Sequence, residues 1–418
     1  MRIAVLAQYY PPIVSGAAFA AQNIAQNMAK RGHTVMVITA SDNGEAYTEQ
    51  NGRLRLARLN SIDNPFRIHQ KVLLYPRAAV QQALKDFKPD LLHVHDMLQI
   101  GLSGLEYTRS AGIPAILTVH QLPWFISQYL PNTKPLREQV ENMLWSYACW
   151  LLPRFDAVIA PTRTISNLIR MKTAVQVGTI SNGVDLQVYH PAKLSRREEI
   201  RLRAGLDLPA KVPVVLHVGR LDADKFVERV IHASLHVLRE TDAHLLVVGD
   251  GGKRPVLQSL SKSLGIAHRV HFPGFITCDQ GLPQIYRLAS LFVTASEIET
   301  QGIVLLEAAA CGLPIAAVRA TCIPEIVHHE RNGLLTEPGD VNALASSMTW
   351  LIRNPSAAER MGKASAALAR QHDKLRTVDL YESLYRNLIH GAKAGAITRR
   401  VSTGIFDQGS VVRGGSHK

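Results

Sequence analysis

The chain has 418 residues, of which 46% are hydrophobic and 19% charged, and its formal net charge is +13 at pH 7. This length predicts two or three domains with separate cores. No apolar run reaches the roughly 18 residues that span a bilayer, and the four cysteines lack the spacing of a metal site or a disulfide framework, so we expect a cytoplasmic protein. The basic excess favours an anionic partner, but no helix-turn-helix, zinc-finger or RNA-binding motif accompanies it, which argues against nucleic acid.

The first half of the chain alternates buried strands with helices. This alternation predicts a parallel sheet covered by helices on both faces. A segment of alternating basic and apolar residues, 53–59, predicts an edge strand. The other predicted strands are 2–7, 34–39, 91–94, 115–119, 157–160 and 175–180, and the predicted helices are 16–31, 74–87 and 136–152.

Three residues of this half lie where parallel strands end, which is where open α/β sheets bind ligands. Gly16 opens the first helix, and a glycine there allows a phosphate or a sugar to approach the backbone, although most turn glycines are structural. His95 and His120 end two predicted strands. A capped structural role is the commoner one for a single histidine, so both roles remain open.

An aromatic segment at 121–153 interrupts the alternation. It contains Leu122-Pro123-Trp124-Phe125 and Tyr129-Leu130-Pro131, followed by a helix that carries Trp145, Tyr147 and Trp150. The aromatic end of this helix suits either packing against the sheet or a lipid interface or acceptor groove.

A turn at Ser181-Asn182-Gly183-Val184-Asp185 predicts the linker between two domains. The second domain opens with a predicted strand at 212–218, which ends in Gly219-Arg220. Arg220 and Lys225 place two cations after this strand and suit a phosphate pocket, although surface arginines and lysines are common. Further predicted strands are 245–248, followed by the turn Gly249-Asp250-Gly251-Gly252, and 270–272, followed by Pro273-Gly274-Phe275-Ile276.

The unit at 291–327 combines a strand, a polar loop, a helix at 303–311 and a second strand at 315–318. It places a helix N-terminus at the carboxyl end of a parallel strand, and the free amides near 300–304 would attract an anion. Gly302 allows close approach of a phosphate. Glu299 and Glu307 are poor phosphate ligands but good acceptors for sugar hydroxyls, although a solvated acidic loop explains two such glutamates alone.

Glu299 and Glu307, with seven residues between them and with Gly302, Gly312 and Pro314 around them, resemble the Glu-x7-Glu signature of retaining glycosyltransferases of family four. The resemblance extends to the Asn-Gly-Val-Asp of the linker and covers almost all of residues 1–390. It implies an α/β fold of two Rossmann-like, doubly wound domains that face a cleft, the glycosyltransferase B-type fold. The domains implied are 1–185 on the acceptor side, 186–372 on the nucleotide-sugar side, a helix at 373–390 that crosses back, and a flexible basic tail at 391–418.

The resemblance also implies roles for single residues. Glu307 would bind the ribose, Arg220 and Lys225 the diphosphate, and Glu299 and His120 the hexose, with His95 as a second choice for the latter. Gly16 would lie near the diphosphate and the acceptor, and Phe226 stands where the family usually has glycine. The loop with Gly274 and Ile276 would contact the base, and Gly302 and Ile303 would bind the diphosphate. Because no Asp-x-Asp pair appears at a strand end, we expect side-chain cations to replace a metal, with no cofactor.

The predicted function is transfer of a hexose from a UDP- or GDP-linked donor to an acceptor hydroxyl (EC 2.4.1.-). Thr300-Gln301-Gly302 resembles the same segment of bacterial diacylglycerol glucosyltransferases, which favours a membrane lipid or glycolipid and a peripheral position on the inner face of an anionic membrane. A polysaccharide or small-molecule acceptor remains open, as do a nucleotide-sugar epimerase or hydrolase on the same scaffold and a binding protein without catalysis.

Overall fold

The structure is a computed structural model that describes residues 1–13, 15–64, 70–127 and 133–393. The predicted loop at Tyr129-Leu130-Pro131 and residues 394–418 of the predicted tail lie outside these residues. Gly391 to Lys393 form the last turn of the terminal helix, so the boundary predicted at 391 was wrong.

The first domain is built on an eight-stranded sheet of order β10-β9-β8-β7-β1-β2-β4-β3, which is parallel except for β3. β5 and β6 form a separate antiparallel pair. The strands of the first domain are β1 (Arg2–Leu6), β2 (Thr34–Ala40), β3 (Tyr47–Asn51), β4 (Leu54–Leu59), β5 (Ser61–Asp63), β6 (Lys71–Leu73), β7 (Leu91–Val94), β8 (Ala115–Thr118), β9 (Ala157–Ala160) and β10 (Val177–Thr179). Its helices are α1 (Gly16–Lys30), α2 (Arg77–Phe87), α3 (Gln99–Ala111), α4 (Trp124–Ser127), α5 (Lys134–Leu151) and α6 (Arg163–Thr173).

The second domain is built on a six-stranded parallel sheet of order β13-β12-β11-β14-β15-β16. Its strands are β11 (Val214–Val218), β12 (His244–Val248), β13 (Val270–Gly274), β14 (Leu291–Thr294), β15 (Ile315–Val318) and β16 (Gly333–Thr336). Its helices are α7 (Arg196–Gly205), α8 (Val227–Glu240), α9 (Arg254–Ser263), α10 (Leu282–Leu288), α11 (Ile303–Ala310), α12 (Ile323–Ile326), α13 (Val341–Arg353) and α14 (Pro355–Ala369), and α15 (Lys374–Lys393) ends the described chain.

Each sheet is covered by helices on both faces, and β1, β7, β11 and β14 are therefore buried almost throughout. The two predicted Rossmann-like domains are thus present. In the parallel part of each large sheet the strand order reverses between β1 and β7 and between β11 and β14, respectively. The loops that leave two adjacent strands in opposite directions open a crevice at such a point, and ligands of open α/β sheets bind there.

Helix α15 follows the second domain but packs on the first. Val378, Tyr381, Leu384 and Tyr385 belong to a buried cluster with β1, α1 and β2. The Tyr385 hydroxyl lies 2.6 Å from His93 Nδ1, and the Tyr381 hydroxyl lies 2.8 Å from Thr118 Oγ1, so polar contacts also anchor this helix to the sheet.

Two local features differ from the predictions. β4 was predicted as an edge strand, but β3 pairs beyond it and is the edge, so that prediction was wrong. Helix α2 begins at Arg77, three residues later than predicted, because Tyr75 has a left-handed φ of 49° and Pro76 serves as the cap. No helix among the described residues is both long and apolar enough to cross a bilayer.

Candidate active site

The two loops at the switch point of the second domain are joined by an ion pair. Lys225 lies in the loop after β11, and Glu299 lies in the loop after β14. Lys225 Nζ is 2.6 Å from Glu299 Oε1, and both side chains are only 15% exposed. Ser296 Oγ also donates to Glu299 Oε1, at 2.9 Å. Two predicted site residues from distant parts of the chain therefore meet at the carboxyl edge of adjacent strands.

Arg220 is held in the same loop by two aspartates. Its guanidinium pairs with Asp222 and lies 2.9 Å from Asp224 Oδ2. Asp224 is 1% exposed, and its Oδ2 is also 3.7 Å from Lys225 Nζ. The buried carboxylate of Asp224 thus contacts both cations and holds them in position. The expectation that no Asp-x-Asp pair ends a strand missed Asp222-Ala223-Asp224, which starts four residues after β11 and whose carboxylates bind Arg220.

Phe226 occupies the position where the family usually has glycine, and the backbone keeps a glycine-like conformation. Its φ of 49° and ψ of 39° lie in the left-handed region, which costs a residue with a Cβ roughly 1–2 kcal/mol. The Arg229 guanidinium lies 4.2 Å from the centre of the Phe226 ring and pairs with Glu297 in the loop after β14. These contacts tie the start of α8 to the loop that carries Glu299.

Glu307 lies in α11, which begins at Ile303. The hydroxyl of Tyr286 donates to Glu307 Oε2 at 2.8 Å, and the Tyr189 ring packs edge-on against Tyr286. Burial raises the pKa of Glu307 to about 7, and the hydrogen bond from Tyr286 lowers it in part. This carboxyl therefore changes its charge near neutral pH.

The start of α11 meets the first domain. Gly302 precedes the helix with a φ of 77°, and a Cβ there would lie 2.8 Å from Leu305 Cδ1, which explains the glycine. The Cδ1 atom of Ile303 lies 3.5 Å from the position that a Cβ atom would take on Gly16, at the start of α1. The N-termini of α1 and α11, one at each switch point, are thus adjacent across the cleft. The predicted residues Gly16, Gly302 and Ile303 lie together there.

His120 follows β8 and is almost fully buried. Its Nε2 lies 2.9 Å from Nδ1 of His95, and the two rings stack. Burial lowers the pKa of His120 to about 4, so both rings are neutral at pH 7 and one donates to the other. The two alternative histidines therefore form one pair, and the carbonyl of His120 accepts from Thr300 Oγ1 at 3.4 Å.

Gly274 ends β13 with a φ of 92°, and its carbonyl accepts from the backbone N–H of Gly249 at 2.8 Å. Gly249 itself contacts the loop of Arg220 so closely that a Cβ would lie 1.8 Å from the Gly219 carbonyl oxygen. Ile276 packs against the core of the second domain. The loops after β11, β12 and β13 are therefore stacked side by side at the edge where the base was predicted to bind.

Further bonds between the domains were missed in the sequence. The Thr162 hydroxyl donates to the Thr300 carbonyl at 2.9 Å. Glu325 accepts the backbone N–H groups of Arg163, at 3.0 Å, and Thr164, at 2.6 Å, and so caps α6 from the other domain. A Thr at a helix start and a Glu near a helix end are ordinary sequence features. No signal in the sequence indicates that either one bonds to a residue of the other domain.

A small cavity of about 50 Å³ lies beside the histidine pair in the first domain. Burial raises the pKa of Asp96 in its wall to about 6. The rest of the lining is largely apolar and comes mainly from α5 and the segment after His120, including Leu122, Leu144, Trp145, Ala148 and Leu152. Trp145 and Tyr147 thus pack against the core, whereas Trp150 is 48% exposed, so only part of the aromatic end of α5 has the predicted packing role.

Two Rossmann-like domains, with cations, carboxylates and a helix N-terminus at facing switch points, have the B-type fold of glycosyltransferases. The solved structure of sucrose-phosphate synthase from Thermosynechococcus elongatus has a similar fold, with a TM-score of 0.80 and 23% identity over 93% of this chain and 99% of that one. Anabaena Alr3699/HepE in complex with UDP-glucose has a TM-score of 0.72 and 21% identity, and covers 93% of this chain and 100% of its own.

Models of two protein families match the two halves. Residues 14–188 match Glycosyltransferase Family 4, and residues 198–367 match Glycosyl transferases group 1. The chain belongs to the family-four glycosyltransferases. Among its relatives is the alpha-monoglucosyldiacylglycerol synthase of Acholeplasma laidlawii, which is 23% identical over 401 residues, or 93% of this chain and 98% of that protein.

Proposed function

We propose that the protein is a retaining hexosyltransferase that uses a nucleoside-diphosphate sugar, UDP- or GDP-linked, and transfers the hexose to a hydroxyl of a membrane lipid or glycolipid. The Lys225–Glu299 ion pair carries this proposal. It holds a cation suited to a diphosphate within about 3 Å of a carboxylate suited to sugar hydroxyls, at the junction of leaving group and sugar.

The donor is divided among three groups of residues. Glu307 accepts hydrogen bonds from the ribose, and Arg220 and Lys225 neutralise the diphosphate together with the free N–H groups at the start of α11. Asp222 and Asp224 keep the two cations oriented before the donor binds. A donor of this class is supported by the structural similarity to HepE, whose solved complex contains UDP-glucose.

The reaction breaks the bond between the anomeric carbon and the diphosphate and forms a bond from that carbon to the acceptor oxygen. The leaving diphosphate takes up negative charge, which Arg220 and Lys225 stabilise without a metal in this proposal. Attack from the same face retains the anomeric configuration, and the acceptor proton passes to the departing diphosphate. Glu299 and the His95–His120 pair hold the hexose, and the contacts across the cleft exclude water that would hydrolyse the donor.

The donor proposal is tested by a thermal-shift screen of UDP- and GDP-sugars. A ligand at 100 times its Kd stabilises the fold by about 2.7 kcal/mol, which shifts the melting temperature measurably. With the donor identified, the anomeric proton coupling of the product reports retention. Donor consumption without an acceptor would instead indicate an epimerase or a hydrolase, and binding without turnover across an acceptor panel would indicate a binding protein.

The lipid acceptor is supported by the surface of α5. Leu136, Met143 and Trp150 are 40%, 61% and 48% exposed and recur every seven residues, so they lie along one side of the helix. Lys134 and Arg137 lie near its first turn, and the Arg154 guanidinium is 4.0 Å from the centre of a Trp150 ring. Apolar side chains flanked by cations suit an anionic bilayer surface. The relative from Acholeplasma laidlawii is named a synthase of a glucosyldiacylglycerol.

Replacing Met143 and Trp150 with serine is expected to lower co-sedimentation with phosphatidylglycerol vesicles at low salt at least about fivefold, because both apolar contacts with the bilayer are lost. Trp350→Ser is the matched control, since Trp350 is 42% exposed on α13 of the second domain. An equal loss in the control, or no binding by the unmodified protein, would contradict a membrane-docking role of α5.

A further inference from the structure

Gln301 lies two residues after Glu299, and its side chain reaches the interdomain hinge, residues 181–183. Gln301 is 1% exposed. The backbone N–H of Asn182 donates to its Oε1 at 2.9 Å, and its Nε2 donates to Ser181 Oγ at 2.5 Å. The segment that resembled the lipid glucosyltransferases thus ties the loop of Glu299 to the hinge.

The donors and acceptors around Ser181 allow one arrangement. A backbone N–H only donates, so the amide oxygen of Gln301 must face Asn182 and its nitrogen must face Ser181. Ser181 Oγ also accepts from the backbone N–H of Gly183 at 3.1 Å. With both lone pairs occupied, the Ser181 hydroxyl donates to Nδ1 of His372, 3.0 Å away. His372 is therefore neutral and protonated on Nε2. Each hydrogen bond is donated in the same direction, from Gln301 to Ser181 and from Ser181 to His372.

The hinge is packed so tightly that its conformation is well defined. Gly183 has a φ of 80°, and a Cβ there would lie 2.6 Å from Cα of Lys374. Val184 and the segment from His372 to Lys374 exchange two backbone hydrogen bonds, of 2.8 and 3.0 Å. The hinge, the start of α15 and the loop of Glu299 meet here.

We propose that Gln301 is a positioning residue that transmits the conformation of the hinge to Glu299. The same loop contacts the first domain through Thr300, which bonds to Thr162 and His120 across the cleft. Those contacts are made with the first domain itself, whereas the bonds of Gln301 are made with the segment that joins the two domains. Rotation at the hinge then orients the loop, and closure completes its contacts. This inference rests on the proposed transferase function of the site.

Gln301→Ala is expected to lower kcat about tenfold, because a small displacement of a positioned group is costly, and to leave the Kd for UDP-glucose, or for the donor found in the screen, within about twofold. Thr377→Val is the matched control. Thr377 Oγ1 donates to the Ser181 carbonyl at 2.9 Å, so this variant loses a hinge bond that does not lead to the loop. Its kcat is expected to remain within about twofold of the unmodified enzyme. Equal kcat losses in both variants would overturn the proposal.

A second measurement needs no ligand. Amide hydrogen exchange over residues 296–302 is expected to be at least about fivefold faster in Gln301→Ala than in Thr377→Val, and equal protection in the two variants would overturn the proposal. Ser181→Ala removes the acceptor of Gln301 Nε2, so combined with Gln301→Ala it is expected to add no further loss of kcat. Additive losses would count against a single linkage. If the unmodified enzyme binds no nucleotide sugar, the proposed function fails, while the exchange result still decides the positioning role.

Discussion

Lys225→Met is expected to lower kcat by about 100- to 1,000-fold, the range found when one preorganised group that stabilises developing negative charge is removed. Methionine keeps an apolar stem of similar shape and removes the ammonium group, with its charge and its three N–H donors. The Lys225 side chain is 15% exposed and is held by Glu299 and Asp224, so its ammonium group is in place before the donor binds. Because the charge of the diphosphate grows as the glycosidic bond breaks, kcat is expected to fall more than donor affinity.

The control for Lys225→Met is Lys363→Met. Lys363 also forms an ion pair, with Glu359 at 2.7 Å, but it is 74% exposed on α14. We expect initial-rate kinetics of this variant to match the unmodified enzyme. A Lys225→Met enzyme within about threefold of the unmodified kcat would show that the leaving group is stabilised elsewhere, and Arg220 would be the next candidate.

Much of the fold could be predicted because its strands are buried on both faces. A strand without a solvent side is mostly apolar, and such runs are visible in the sequence. Strands β9 and β15 begin and end at the predicted residues, 157–160 and 315–318. β3 was missed because four of its five residues are exposed and polar, which left β4 as the predicted edge. The ends of elements depend on local backbone conformation, as Tyr75 and Pro76 show for α2.

The candidate site could be predicted only as far as each residue belongs to a local motif. The glutamates, glycines and cations are all motif residues, and the structure joins Lys225 to Glu299 and Gly16 to Ile303. Asp224 was visible in the sequence without a role, because its importance comes from burial beneath two cations. Gln301, Thr162 and Glu325 act across the domain boundary, and such pairs depend on the relative position of two domains, which no spacing within one segment specifies.

Glu307→Ala is expected to weaken binding of the nucleotide sugar roughly 100-fold at pH 8, because hydrogen bonds to a charged carboxylate contribute about 1.5–3 kcal/mol. In the unmodified enzyme the affinity is expected to depend on pH. Ribose hydroxyls donate to the ionised carboxylate, and the pKa of Glu307 without ligand is raised to about 7. Binding must therefore remove the proton below this pH, and the Kd should rise about tenfold between pH 8 and pH 6.

The ligand for this titration is a nucleotide sugar such as UDP-glucose, since its diphosphate is esterified at both ends and does not itself titrate near pH 7. Glu307→Gln is the matched variant, because its amide oxygen still accepts a hydrogen bond from Tyr286 but does not ionise. Isothermal titration at pH 6, 7 and 8 is expected to give a nearly constant Kd for this variant.

The thermal stability of Glu307→Gln is expected to change in the direction opposite to its donor affinity. A carboxyl whose pKa is raised on folding stabilises the folded state most below its unfolded pKa of 4.5 and loses that contribution as the pH rises through about 7. Glu307→Gln should therefore melt at a higher temperature than the unmodified enzyme at pH 8 without ligand, while binding the donor less tightly. A pH-independent Kd in the unmodified enzyme would show that Glu307 does not bind the donor as a carboxylate.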